Sequence, residues 1–110
     1  MVISFKDERV RNHLLDNGMV YTYRKGYKRR KQLGNDWANS GRLTKKIADV
    51  TVNAIDPVMD VELHDALQSY VDKSGFKSTG DWINSIYKLN KKIPLCGWIY
   101  RVDIRVDIER

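Results

Sequence analysis

Trp98-Ile99-Tyr100-Arg101-Val102-Asp103-Ile104-Arg105-Val106-Asp107-Ile108 is the cleanest alternation in the chain. Trp98, Tyr100, Val102, Ile104, Val106 and Ile108 share one side, while Arg101, Asp103, Arg105 and Asp107 share the other. A period of two belongs to a strand that lays one face on a core. About eleven residues is long for a strand, and such strands belong to twisted sheets that curl toward a barrel. The alternating charges read as cross-strand pairs on a wet face, which also discourages edge-to-edge aggregation.

Working outward from this strand, Pro94 closes a helical region. Ser78 with Asp81 three residues on forms a loose capping box for a helix whose buried stripe is Trp82, Ile83, Ile86 and Tyr87. Before it, Asp60 opens a helix with Leu63, Ala66, Leu67, Tyr70 and Val71 at helical spacing, closed by Gly75. Ile47 to Ile55 reads as a strand that Asp56-Pro57 stops. Tyr27 to Arg42 reads as a long loop, with Gly34, Asn35, Asn39 and Gly41 as turn residues and Trp37 as its anchor.

Met19 to Arg24 alternates as a strand. Met19, Tyr21 and Tyr23 are its expected core side; Thr22 and Arg24 project together from the other. Asp7 caps a first helix carrying Val10 and Leu14 inward, Gly18 ends it, and Val2 to Phe5 is a short opening strand. The order predicts a single α+β domain over 1–110, with a mixed, mostly antiparallel sheet and flanking helices.

Charge singles out Arg24-Lys25-Gly26-Tyr27-Lys28-Arg29-Arg30-Lys31, six cations in eight residues. The formal net charge of the whole chain is +6, so without this run the remainder would sit near neutrality. Unpaired cations cost several kcal/mol each to bury. The run therefore faces water as a solvated loop, or an anion as a phosphate-binding surface, and local basicity of this kind is the footprint expected for nucleic acid. Tyr27, set among the cations, is a candidate platform for stacking an unpaired base. The pairs Lys45-Lys46 and Lys91-Lys92 would extend the surface if folding brought them alongside; the sequence leaves that open.

Cys96 is the only cysteine, so an intrachain disulfide and a cysteine-cluster zinc site are ruled out, and it reads as a small buried hydrophobe. His13 and His64 lack metal-type spacing, His64 reading as exposed and His13 as flanking the core. No metal or other cofactor is expected. The short apolar run at the N-terminus is no signal peptide, no membrane span is predicted, and a reducing cytoplasm is the expected compartment.

Val2-Ile3-Ser4-Phe5-Lys6 as an opening strand, Val10 through Asn17 as a first helix, Thr22-Tyr23-Arg24, and Ser74-Gly75-Phe76 followed by Ser78 and Trp82 carry a resemblance. In this order they resemble the ASCH family, relatives of the PUA domain built on a small β-barrel with helices at its sides. Thr22-Tyr23-Arg24 matches the end of the family's G-x-K-x-x-T-x-R motif, and Ser74-Gly75-Phe76 is similar to its acidic-Gly-Phe turn. The resemblance implies a PUA-like barrel and a cleft near Thr22 and Arg24. Some family members are amidohydrolases of acetylated cytidine that use a lysine, a threonine and a glutamate together. Here Thr22 stands at the threonine position, Met19 replaces the lysine, Ser74 falls where the glutamate would be, Asn17 replaces the motif's glycine, and Gly18 sits one residue late. Met19 is neither acid, base nor cation, which leaves Thr22 without a partner to ease its deprotonation. Lys25 or Lys73 would have to stand in from another direction.

The expectation is thus a nucleic-acid-binding module, RNA or single-stranded DNA preferred and duplex DNA possible, rather than an enzyme. Arg24, Lys25, Lys28, Arg29, Arg30 and Lys31 would hold phosphates, Tyr27 would stack, and Thr22 would line the cleft. The alternative is a small hydrolase of a modified nucleoside, acylcytidine amidohydrolase-like, or a ribonuclease, with Thr22 as its catalytic residue. A basic adaptor for an acidic protein is a third reading. The oligomeric state is open.

Overall fold

Asp7 and Gly18 bound the first helix as their chemistry requires. In the computed structural model, which describes residues 2–25, 34–39 and 46–105, helix α1 spans Glu8–Asn17. The Asp7 carboxylate accepts the N–H of Arg9 at 2.9 Å, satisfying a donor that the first turn leaves orphaned. Gly18, at φ 79°, passes its N–H to the carbonyl of Leu14. Val10 and Leu14 are buried on the inner face, each contributing roughly 1.5–3 kcal/mol of apolar burial.

The strands are β1 (Val2–Ser4), β2 (Met19–Lys25), β3 (Gly34–Asn39), β4 (Lys46–Met59) and β5 (Cys96–Ile104). Among the described residues they form one sheet in the order β1-β3-β4-β5-β2. β1 runs parallel to β3, and every other pairing is antiparallel. Helices α2 (Leu63–Gln68) and α3 (Thr79–Asn90) follow β4. This is an α+β fold with a mixed, mostly antiparallel sheet and flanking helices. The guanidinium of Arg24, on edge strand β2, lies 5.1 Å from the ring of Phe5, the residue after edge strand β1. The sheet therefore curls until its two edges approach, although β1 and β2 exchange no ladder bonds among the described residues. No helix among the described residues is long and apolar enough to cross a membrane.

The structure corrects several of these expectations. β5 begins two residues before Trp98 and ends at Ile104; residues 106–108 of the quoted alternation lie outside the described residues. Its parity holds only from Tyr100 to Val102, with Tyr100 and Val102 buried and Arg101 exposed; Trp98 and Ile104, expected inward, are half-buried, and Ile99 on the charged side is fully buried. Gly34–Asn39, expected to be loop, is strand β3, held between β1 and β4. β4 does not stop at Asp56-Pro57 but continues to Met59 across a bulge between Ala54 and Asp56. The described pairing with β3 ends at Val52, so among the described residues Pro57 occupies a stretch paired only with β5, where a missing N–H is tolerated.

The helix expected from Asp60 to Gly75 is broken into a 3-10 turn over Asp60–Glu62, α2, and a second 3-10 turn over Val71–Lys73. Tyr70 sits at the break, its hydroxyl donating to the Asp56 carboxylate and its ring 4.7 Å from that of Tyr21. On α3, Ser78 caps by accepting the N–H of Asp81 at 3.1 Å. Trp82 and Ile86 are buried and Ile83 is half-buried, while Tyr87, expected inward, is exposed.

Candidate functional site

The expected facing of β2 is reversed for four of its residues. Val20 and Thr22 are buried, whereas Met19 and Tyr21 are half-buried and Tyr21 packs on Tyr70. Tyr23 is buried as expected, and its ring lies against Gly97. A Cβ at Gly97 would collide with that ring and come within 2.6 Å of the Arg24 carbonyl. Burial pushes the Tyr23 phenol up to about 12, with the nearby Cys96 and Asp60 adding to it.

Thr22, Arg24 and Lys25 line a single cleft of about 370 Å³ with Tyr23, a volume within the usual range for small-ligand sites. Three elements build its walls. β2 gives one side, the link from β1 into α1 gives Phe5, Lys6 and Asp7, and α3 gives Trp82, Ser85, Ile86, Leu89 and Asn90. The link is fixed by Arg11, whose guanidinium donates to the carbonyls of Phe5 and Lys6 at 2.8 Å each. α3 is fixed by Ser85, whose hydroxyl donates to Asp7 at 2.8 Å. Phe76 joins the lining and stacks on Trp82, ring centres 6.0 Å apart.

Arg24 is half-buried with its Nε fully enclosed. Burial pulls its guanidinium down to about 10, so the group stays cationic at neutral pH. Lys6 and Lys25 are exposed and make no ion pair among the described residues. The one carboxylate in the lining, Asp7, is already engaged. Arg9 donates to it from Nε at 3.0 Å and from a terminal nitrogen at 2.8 Å. These bonds from Arg9, helped by Ser85 and opposed by burial, hold its pKa below 3.8. The cleft thus presents cations, the hydroxyl-bearing Thr22, and aromatic walls.

Of the residues expected at the site, Thr22, Arg24 and Lys25 come together; Tyr27, Lys28, Arg29, Arg30 and Lys31 lie outside the described residues. Lys91 and Lys92 are exposed and follow directly on Asn90 in the lining. Lys46 starts β4 at the end of the sheet away from Gly97 and is bound to Asp49 at 3.2 Å; Lys45 is outside the described residues. Met19 and Ser74 do not line the cleft. Ser74 is fully buried in a structural turn, donating to the carbonyl of Val71 and accepting the N–H of Phe76. Cys96 is half-buried rather than buried. His64 is exposed and His13 half-buried, as expected.

Sequence reading missed Lys6, Asp7, Ser85 and Asn90. The Asp7–Ser85 contact spans 78 residues, and no local pattern signals it. Comparison with protein-family models, with curated proteins and with solved structures finds no match.

Proposed function

We propose that this chain is a nucleic-acid-binding module of the ASCH, PUA-like kind, with its curled sheet a small barrel opened along the β1–β2 seam. A single strand of RNA or DNA is its ligand, laid across the cleft. The observation that carries this reading is the convergence of Arg24, Lys25 and Lys6 on one cleft walled by Phe5, Phe76 and Trp82. Cations beside aromatic surfaces are what a sugar-phosphate strand with unpaired bases requires. Lys28, Arg29, Arg30 and Lys31 lie within three to six residues of Lys25 along the chain, a reach of at most about 20 Å.

Labelled single-stranded RNA, single-stranded DNA and duplex DNA, titrated with protein at several salt concentrations, test it. Neutralising about five phosphates on a single strand predicts a slope of roughly −3.5 for log K against log salt. Reversing Lys25, Lys28, Arg29, Arg30 and Lys31 to glutamate should abolish binding while leaving the circular dichroism unchanged. A slope near zero rejects the reading. Turnover of an acylated cytidine or of RNA that disappears in Thr22→Ala would replace it with a hydrolase.

A further inference from the structure

Four successive residues of β2, Thr22 to Lys25, line the cleft. Side chains on a strand alternate between faces, so a cavity that meets all four runs along the strand's edge. The register shows what that edge carries. Ile104 donates its N–H to the carbonyl of Gly18 at 2.8 Å, and β2 continues with Val20 opposite Val102, Thr22 opposite Tyr100 and Arg24 opposite Trp98. Opposed residues in an antiparallel ladder alternate between pairs that exchange both bonds and pairs that exchange none. The even-numbered residues therefore bond to β5, and Tyr21, Tyr23 and Lys25 turn their N–H and C=O outward. Among the described residues nothing bonds to the outward N–H or C=O of Tyr23. Its ring lies against Gly97, which leaves its main chain to face the cleft.

We infer that the cleft takes one nucleobase edge-on, the base's adjacent donor and acceptor pairing with the outward C=O and N–H of Tyr23. This rests on the nucleic-acid reading above and specifies how a base is held. Every nucleobase offers such an edge: an amino group beside a ring nitrogen in adenine and cytosine, a ring N–H beside a carbonyl in uracil and guanine. A planar ring fits better than an added peptide strand. Tyr21 lies outside the lining, so only two outward units, Tyr23 and Lys25, reach the cleft, too few to hold a strand. Lys6 and Lys25, both exposed, lie beside the cleft for the attached phosphates.

Because a main-chain group cannot be deleted by substitution, the test alters the ligand. Hexanucleotides of uracil and of guanine are compared with counterparts methylated on the ring nitrogen of the pairing edge, which replaces an N–H and leaves the base uncharged, with amide hydrogen exchange followed at Tyr23. Methylation should weaken binding at least about tenfold with the salt slope unchanged, and the Tyr23 amide should gain protection only with unmethylated oligomers. Equal binding of both sets, with the slope intact, overturns the edge-on base and leaves the nucleic-acid reading standing. No binding by any oligomer overturns both. Protection of Tyr21, Tyr23 and Lys25 by an extended peptide, with none by oligonucleotides, would identify a strand-binding site instead.

Discussion

Asp7 does three jobs with one carboxylate: it caps α1, pairs with Arg9, and accepts the Ser85 hydroxyl that holds α3 at the cleft. Asp7→Ala should cost about 2 kcal/mol in urea unfolding, since it removes a cap and leaves the Ser85 hydroxyl without its acceptor. Asp7→Asn should cost less, because an amide oxygen can still cap. The Asp7 pKa is lowered in the fold, so its contribution is present above pH 3.8 and is lost as pH falls through the lower folded value. His13 acts in a separate window. Asn17 approaches its Nδ1 at 3.3 Å, which places the ring proton on Nε2, a buried atom with no hydrogen-bond partner among the described residues. Burial, reinforced by the charge of Lys73 and opposed by Asp16, lowers its pKa from 6.5. The unfolded chain takes up this proton first, so stability declines as pH drops below 6.5 toward the folded value. In His13→Gln that decline should vanish from unfolding midpoints measured between pH 7.5 and 5.5, while the loss due to Asp7 at lower pH persists.

Two glycines at element ends separate backbone strain from crowding. Gly18 ends α1 at φ 79° with open space where an alanine Cβ would sit, whereas at Gly75, φ 91°, that atom would fall 2.5 Å from the Arg9 carbonyl oxygen. Gly18→Ala should cost about 1 kcal/mol, the strain of a left-handed alanine. Gly75→Ala should cost roughly 2–4 kcal/mol, because α1 must also shift; urea midpoints of the two variants check the order. Gly18 was legible as a helix stop, as were the caps at Asp7 and Ser78, since these are contacts within a few residues; Gly75 was read as the end of a helix that stops at Gln68. β3 was not legible. Gly34, Asn35, Asp36 and Asn39 have turn chemistry, and it is pairing with β1 and β4 that makes them a strand. β2 misled for another reason: α1 covers one face and Tyr70 part of the other, so alternation could not say which side was core. Thr22, Arg24 and Lys25 could be grouped from the sequence because they are local to one strand. Their partners across the cleft come from α3, and only the fold brings them there.

Across the whole molecule, the sheet decides which basic pairs belong to one surface. Lys46 and Val58 lie toward opposite ends of β4, and Val58 is opposite Gly97, which is opposite Lys25. Twelve residues of strand separate Lys46 from the cleft end, on the order of 40 Å, and Lys46 is neutralised locally by Asp49. Lys91 and Lys92, although distant in sequence from Lys25, emerge from the end of the helix that walls the cleft. A strand lying in the cleft should therefore feel Lys91 and Lys92 but not Lys46. Lys91→Glu with Lys92→Glu should weaken single-strand binding and make the salt slope shallower by about 0.7 for each phosphate no longer neutralised. Lys46→Glu changes the net charge in the same direction by half as much, yet should leave affinity and slope within error at physiological salt, where screening acts over about 8 Å. If both variants weakened binding in proportion to charge alone, the protein would be attracting nucleic acid through its overall field and the cleft would have no special part. Titrations of the two variants against the same oligonucleotide at three salt concentrations separate a located interface from a merely basic protein.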